Sequence, residues 1–312
     1  MSNSNAFDLG SILKDIAAEI TANAVEIESK ADAKEDGLQP GAFGIAVTTM
    51  DGDMFCGGGA DTRFPLQSIA KVFTLEVVLC AIGERIFKRV GREPSGDPFN
   101  SIIDLERTKG IPRNPFVNAG ALVTVDAMID AHCARDAVID LVKRELGRDV
   151  ALDDDVLASE EEAGDLNRAM LSFMKHHENL RSEPDDVMSA YVRQCAISLD
   201  AAGLSQVGVF LARTRIDGDA ENRERASRMR KLLALMMTCG HYDGSGDFAL
   251  RVGLPAKSGV GGGILALMPE VASIAVWSPN LDQHGNSILG VRALEMLVHR
   301  TGWSVFGPSA GS

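Results

Sequence analysis

Ser68-Ile69-Ala70-Lys71, which opens the apolar run Val72-Phe73-Thr74-Leu75, and the far downstream Lys257-Ser258-Gly259 decide how this chain reads. A serine three residues ahead of a lysine on one helix puts hydroxyl and amine on the same face, one turn apart. A serine hydroxyl is a weak nucleophile at neutral pH and needs such a base beside it. With the later lysine, the pair points to acyl transfer through a serine ester. The spacing alone says less. Ser11 to Lys14 and Ser172 to Lys175 repeat it and read as solvated helix faces, and Ser68 also reads as a helix cap after Pro65. Lys257-Ser258-Gly259 occurs once, directly ahead of a glycine run.

Working outward, residues 8–35 read as a helix with Leu9, Ile12, Leu13, Ile16, Ile20 and Val25 on one face. Phe43 to Met50 is a β-branched run, Asp51-Gly52 a tight turn, and Asp53 to Cys56 the return strand. From Ser68 to about Phe248 the pattern is helical, broken by Pro94-Ser95-Gly96-Asp97-Pro98 and by the loop Pro112 to Pro115. After Lys257 come Ile264 to Met268, a turn at Pro269, Ala272 to Ser278 and a last helix over Ile288 to Arg300. Strands at both ends and helices between predict an α+β fold. Residues 1–67 and 250–312 would build an antiparallel sheet lobe, and 68–249 a helical lobe, with a cleft where Ser68 and Lys257 meet.

A chain of 312 residues with 45% hydrophobic and 24% charged residues suits one soluble catalytic unit with a sizeable core. A net charge of −13 excludes a nucleic-acid surface and docking on anionic lipid, since both need clustered cations. No leader pattern is read at Met1 to Gly10, and the run Val72 to Ile82 is too short to span a bilayer. Five widely spread cysteines with no Cys-x-x-Cys pair read as buried thiols of a cytoplasmic protein.

The histidines show no metal-ligand spacing, so no metal or other cofactor is expected. Gly259, Gly261, Gly262 and Gly263 do not form a phosphate loop, because the lysine precedes them; they suit close backbone approach and N–H groups aimed at an oxyanion. No Ser-x-Asn stands between the two lysine motifs, the middle element that serine β-lactamases carry. A tyrosine can replace it as proton carrier if a cationic lysine lowers its pKa, and only Tyr191 and Tyr242 exist; either also reads as a buried ring with a bonded hydroxyl. Glu160 and Asn167, in Glu-x-x-x-x-Gly-Asp-x-Asn, would suit an α-amino group.

Four stretches carry a family resemblance: Gln67-Ser68-x-x-Lys71, Gly91-Arg92-Glu93-Pro94-Ser95-Gly96-Asp97-Pro98-Phe99-Asn100, Pro112-Arg113-Asn114-Pro115-Phe116-Val117-Asn118-Ala119-Gly120 and Gly253-Leu254-Pro255-Ala256-Lys257-Ser258-Gly259-Val260. From about Phe43 to Leu297 the chain resembles the serine-dependent, β-lactamase-like glutaminases. The resemblance implies a fold like that of the β-lactamases and penicillin-binding proteins. It implies Ser68 as nucleophile, Lys71 as its activating neighbour and Tyr191 as the proton-transferring tyrosine. It implies an oxyanion hole from the N–H groups of Ser68 and Val260, positive charge from Lys257, and a site for the α-amino and α-carboxylate groups at Asn118, Glu160, Asn167 and Tyr242. It also implies L-glutamine as substrate and a homodimer or homotetramer. Two departures stand out. Ala24 to Pro40 lacks the tyrosine that closes over substrate in the family, and Leu166 stands where an arginine is usual, which reads as a packing variation.

The leading expectation is hydrolysis of glutamine through a γ-glutamyl ester, with Lys71 kept neutral by burial and neighbouring charge. Two other readings are a penicillin-binding or esterase-like hydrolase, and a glutamine- or glutamate-binding protein whose catalysis is weakened with its lid tyrosine.

Overall fold

The structure, a computed structural model, describes residues 7–31, 40–96 and 101–307, with the backbone alone for 160–163. Helix α1 (Leu9–Lys30) starts at Asp8, whose carboxylate accepts from the Ser11 N–H at 3.1 Å. Its buried stripe is Leu9, Leu13, Ile16, Ala17, Ile20 and Ala24. Val25, expected on that face, is 71% exposed, because the position four residues after Ile20 is Ala24. The hairpin β1 (Gly44–Thr49) and β2 (Met54–Gly58) follows, then the two-residue β3 (Phe64–Pro65) and a tight 3₁₀ turn at Gln67–Ile69.

That turn feeds α2 (Ala70–Ile82), whose Val72, Phe73, Leu75, Val78 and Leu79 are all buried. A helix apolar on every side belongs inside. Around it stand α3 (Ile103–Arg107), α4 (Asn118–Asp130) and α5 (Ala137–Leu146), then β4 (Ala151–Leu152), α6 (Asp154–Ala163), α7 (Asp165–His176) and α8 (Pro184–Cys195). The helical part continues through β5 (Ile197–Leu199), α9 (Ala201–Gly208), α10 (Ala220–Cys239) and α11 (Ser245–Arg251). The chain ends with β6 (Ala256–Ser258), β7 (Gly263–Met268), β8 (Ala272–Trp277) and α12 (Ile288–Thr301).

Among the described residues, five strands form one antiparallel sheet in the order β2-β1-β8-β7-β6. Strand alternation divides its side chains between two cores. Ile45, Val47, Ile264, Ala266, Ile274 and Val276 face α1 and α12; Ala46, Leu265, Leu267 and Ala275 face the helices on the other side, where α9 packs across β1 and β8. The fold is α+β, an antiparallel sheet from both chain ends flanked by helices and joined to a large helical body. That body is not wholly helical, as the sequence suggested: β3, β5 and β4 form a small second sheet, and Leu66 N–H donates to Ile197 O at 2.8 Å. No helix among the described residues is long and apolar enough to cross a membrane.

Candidate active site

Ser68 sits in the 3₁₀ turn directly ahead of α2 and is 6% exposed. Neither the turn nor the helix has a side-chain cap, so capping is not the use this fold makes of Ser68. The Tyr242 phenol approaches it closely enough that the Ser68 hydroxyl is one of the influences lowering that phenol's pKa. Gln67, just before it, has φ of +47°, and Tyr242 has φ of +53°. Left-handed backbone at side-chain-bearing residues costs roughly 1–3 kcal/mol each and persists where surrounding packing imposes it. Here it marks the two residues that aim the serine and its phenolic partner.

Lys71 follows one turn on, 1% exposed. Its Nζ donates to Phe116 O at 3.1 Å and to Asn118 Oδ1 at 2.7 Å. The Pro112–Pro115 loop is shaped for this contact. Asn114 Oδ1 accepts from the N–H groups of Phe116 (2.9 Å) and Val117 (3.1 Å), turning the chain into α4 and presenting the Phe116 carbonyl. The same loop is fastened to residues 91–93: Gly91 and Glu93 N–H groups donate to Pro112 O (2.8 Å) and Arg113 O (3.1 Å), and Asn114 Nδ2 to Glu93 O (3.0 Å). Asn118 Nδ2 in turn donates to Asn167 Oδ1 at 3.3 Å, so Lys71, Asn118 and Asn167 form one chain of contacts. Leu166 beside it is 43% exposed and fills no core.

Lys257 reaches the site from edge strand β6, fully buried. Its Nζ donates to Gly240 O (3.0 Å) and Ser258 O (2.6 Å) and lies 4.4 Å from the Tyr242 ring centre. Burial, reinforced by the nearby Lys71, pushes its pKa well below the ordinary lysine value. The residue expected to supply positive charge is thus one whose neutral amine the fold favours. His241 alongside is also pushed toward its neutral form, by burial and by Lys257. Tyr242 differs from expectation in the same way. Its lysine neighbour does not lower the phenol; burial pushes it up to about 12, against the Ser68 hydrogen bond, which lowers it. At neutral pH Tyr242 keeps its proton, which its hydroxyl donates to Ser258 O at 3.3 Å.

Tyr191 is 4% exposed on α8, the helix packed against the Ser68 turn and tied to α2 by a Thr74–Gln194 hydrogen bond of 2.7 Å. Val260 lies in the β6–β7 turn, its side chain 36% exposed. That turn is pressed onto the segment just before Ser68. A Cβ on Gly259 would stand 2.6 Å from Leu66 O, and one on Gly261 2.5 Å from Pro65 O, distances only glycine tolerates. Glu160 is on α6, but its side chain lies outside the described residues, as do residues 32–39 of the segment that lacks a tyrosine. Two contributors escaped the sequence reading: the Phe116 carbonyl on Lys71, and the Ser258 hydroxyl, buried without a partner among the described residues. The first is a backbone group with no signature of its own. The second was visible within Lys257-Ser258-Gly259 but unassigned.

Comparison with known proteins agrees with this geometry. The glutaminase family profile matches residues 36–306. A glutaminase of Methylorubrum populi is 49% identical over 309 residues, covering 96% of this chain and 99% of that protein. Among solved structures, a probable glutaminase, ybaS, superposes with a TM-score of 0.83 at 32% identity, over 96% of this chain and 99% of that one. The Bacillus subtilis glutaminase YbgJ, solved as a covalent complex with 5-oxo-L-norleucine, gives 0.78 at 26% identity, over 96% of this chain and 100% of that one. A family match over most of the chain, together with near-complete overlap with these relatives, establishes that the chain belongs to the glutaminase family.

Proposed function

We infer that this chain hydrolyses the side-chain amide of L-glutamine to L-glutamate and ammonia, with Ser68 as nucleophile. What carries the reading is the meeting of the Ser68 hydroxyl with the Tyr242 phenol, one helical turn from buried Lys71 and beneath the Gly259–Gly261 turn. Ser68 Oγ attacks the amide carbon and its proton passes to Lys71 Nζ or to Tyr191. Tyr242, with its phenol held near 12, keeps its proton and orients the serine oxygen. The oxyanion is held by the N–H groups of Ser68 and Val260, each worth about 3 kcal/mol. Protonation of the nitrogen breaks the C–N bond, ammonia leaves, and water hydrolyses the γ-glutamyl ester to return the serine.

Asn118 and Asn167, already joined to each other and to Lys71, would hold the substrate's α-amino and α-carboxylate groups with Glu160 and Tyr242. The covalent complex of YbgJ supports the class of chemistry, since 5-oxo-L-norleucine carries a ketone where glutamine carries its amide. The enzyme is assigned to the cytoplasm, where free thiols persist, and to an oligomer, on the family resemblance; of the five thiols expected to be buried, Cys56 and Cys80 are exposed.

The test is ammonia release from L-glutamine by the wild type and by Ser68→Ala, with L-asparagine for comparison. Labelling with 6-diazo-5-oxo-L-norleucine, followed by peptide mapping, accompanies it. Turnover should fall at least about 10³-fold in the variant, and the label should map to Ser68. Turnover that survives the substitution, or a label on another residue, overturns the assignment.

A further inference from the structure

At the far end of α2 from Ser68, a groove of about 830 Å³ opens between the β1–β2 hairpin and the helices. Arg144, Arg213, Arg225 and Arg228 line it, with Met50 and Phe210 on its apolar wall, and it includes none of the residues assigned to the amide chemistry. Four arginines around one groove stand out in a chain that carries 44 acidic residues against 31 basic ones. Elsewhere some arginines find carboxylates, as Arg135 does at Asp186, Arg193 at Asp136 and Arg300 at Glu19, and others end on carbonyl oxygens, as Arg63 does at Ser198 O and Arg230 at Thr214 O.

In the groove two of the four are paired and two are not. Arg144 leans on Glu145 at 3.1 Å, and Arg228 stands between Glu76, which its buried Nε meets at 3.5 Å, and Glu224 at 3.6 Å. Among the described residues Arg225 donates only to the neutral Asn222 side-chain oxygen, and the exposed Arg213 guanidinium has no partner. Asp51, also in the lining, has no ion pair with either. Two guanidinium groups with no carboxylate partner among the described residues therefore line a space shared with two paired arginines and with the carboxylates of Asp51, Glu76 and Glu145.

Guanidinium forks match phosphate oxygens in paired hydrogen bonds, and several around one space suit several linked phosphates better than a single charge. The volume exceeds what one phosphate fills and falls in the range of small-molecule sites, and the Met50–Phe210 wall offers apolar contact beside the charges. We propose that this groove binds an oligophosphate-bearing small molecule of the nucleoside di- or triphosphate class. Arg213 and Arg225 anchor its phosphates, Arg144 and Arg228 flank them, and Phe210 faces its apolar part.

The test is calorimetric titration of the full chain with ATP, pyrophosphate and inorganic phosphate at low ionic strength, without glutamine. The proteins are the wild type, an Arg213→Ala/Arg225→Ala variant, and Arg292→Ala as an outside control. Saturable one-to-one binding of ATP and pyrophosphate is expected, tighter than for phosphate, weakened at least tenfold in the double variant and unchanged in the control. Both substituted side chains of the double variant lie at the surface, so circular dichroism and ammonia release without nucleotide should match the wild type. Absence of saturable ATP and pyrophosphate binding, or binding that the double variant retains, overturns the proposal. ATP binding no tighter than pyrophosphate removes the role given to Phe210. The readout is heat of binding, so it stands or falls separately from the amide chemistry.

Discussion

Replacing Gly259 by alanine places one methyl group 2.6 Å from the Leu66 carbonyl oxygen. An ordinary contact begins at 3.4 Å, so the β6–β7 turn and the segment entering Ser68 must part by roughly 0.8 Å. Gly259 does not sit in the left-handed region, so the effect is steric alone. The two sides of that contact carry the Val260 and Ser68 N–H groups assigned to the oxyanion, and their separation sets the hole. A displacement near 1 Å at a reacting centre costs on the order of 10²-fold, and outright loss of one such donor 10²- to 10³-fold. Gly259→Ala should therefore lower kcat about 100-fold, equivalent to about 2.7 kcal/mol, with KM for glutamine within a few-fold. Overpacking also lowers stability, by about 1–3 kcal/mol, so ammonia release is best followed well below the unfolding transition. Gly246→Ala is the control: its added methyl meets nothing within 4 Å and should leave kcat unchanged. A folded Gly259→Ala protein whose kcat stays within threefold of wild type would refute the placement of the oxyanion hole at this contact.

Tyr242→Phe should cost about tenfold in kcat and leave the alkaline limb of the pH profile where it was, since a phenol near 12 does not titrate there. Tyr191→Phe should cost 10²- to 10⁴-fold if that residue moves the proton, and the reverse ranking would exchange the two roles. Asp126 is fully buried, paired with Arg89, and accepts the N–H groups of Arg181 (3.1 Å) and Ser182 (2.6 Å). Asp126→Ala should lose about 3–5 kcal/mol in urea unfolding, and a loss under 1 kcal/mol would contradict this account. Burial pushes the Glu76 carboxyl up to about 7, above its unfolded value of 4.5, so the stability it contributes is complete below pH 4.5 and is lost as pH rises through 7. The loss amounts to about 3 kcal/mol, and Glu76→Gln should flatten urea midpoints across pH 5 to 7.5. Unchanged curvature would rule Glu76 out as its source.

Where periodicity is long, the chain declares itself. The strand read over Phe43 to Met50 is Gly44–Thr49, and the helix read over Ile288 to Arg300 is Ile288–Thr301. The small second sheet was illegible, because strands of two or three residues inside a helical stretch hold no alternation to count. For the candidate site, the spacing of Ser68 and Lys71 was visible, and so was the need for a flexible turn after Lys257. The left-handed backbone at Gln67 and Tyr242 was not, since neither residue type announces it. Nor was the phenol that meets Ser68: only the three-dimensional return of residues 240–244 to β6 selects Tyr242 for that contact. The titration of Lys257 depends on a full enclosure assembled from α10, β6 and α2, which no local pattern records.

The sheet also sets an order on the birth of the enzyme. β1 lies between β2 and β8, and the partner of Thr49 in β8 is Ala272, more than 200 residues later. On a ribosome the early hairpin must wait with one edge open while the helical body emerges, and closing so long a loop makes the last pairing slow. Ser68 and Lys71 are synthesised early, but the turn at Gly259–Gly261 is held in place only once β7 has docked beside β8. A nascent or prematurely ended chain thus carries Ser68, the proposed nucleophile, without the backbone proposed to complete the site. Competence arrives only when the central strand of the sheet, translated more than 200 residues after Ser68, slots home.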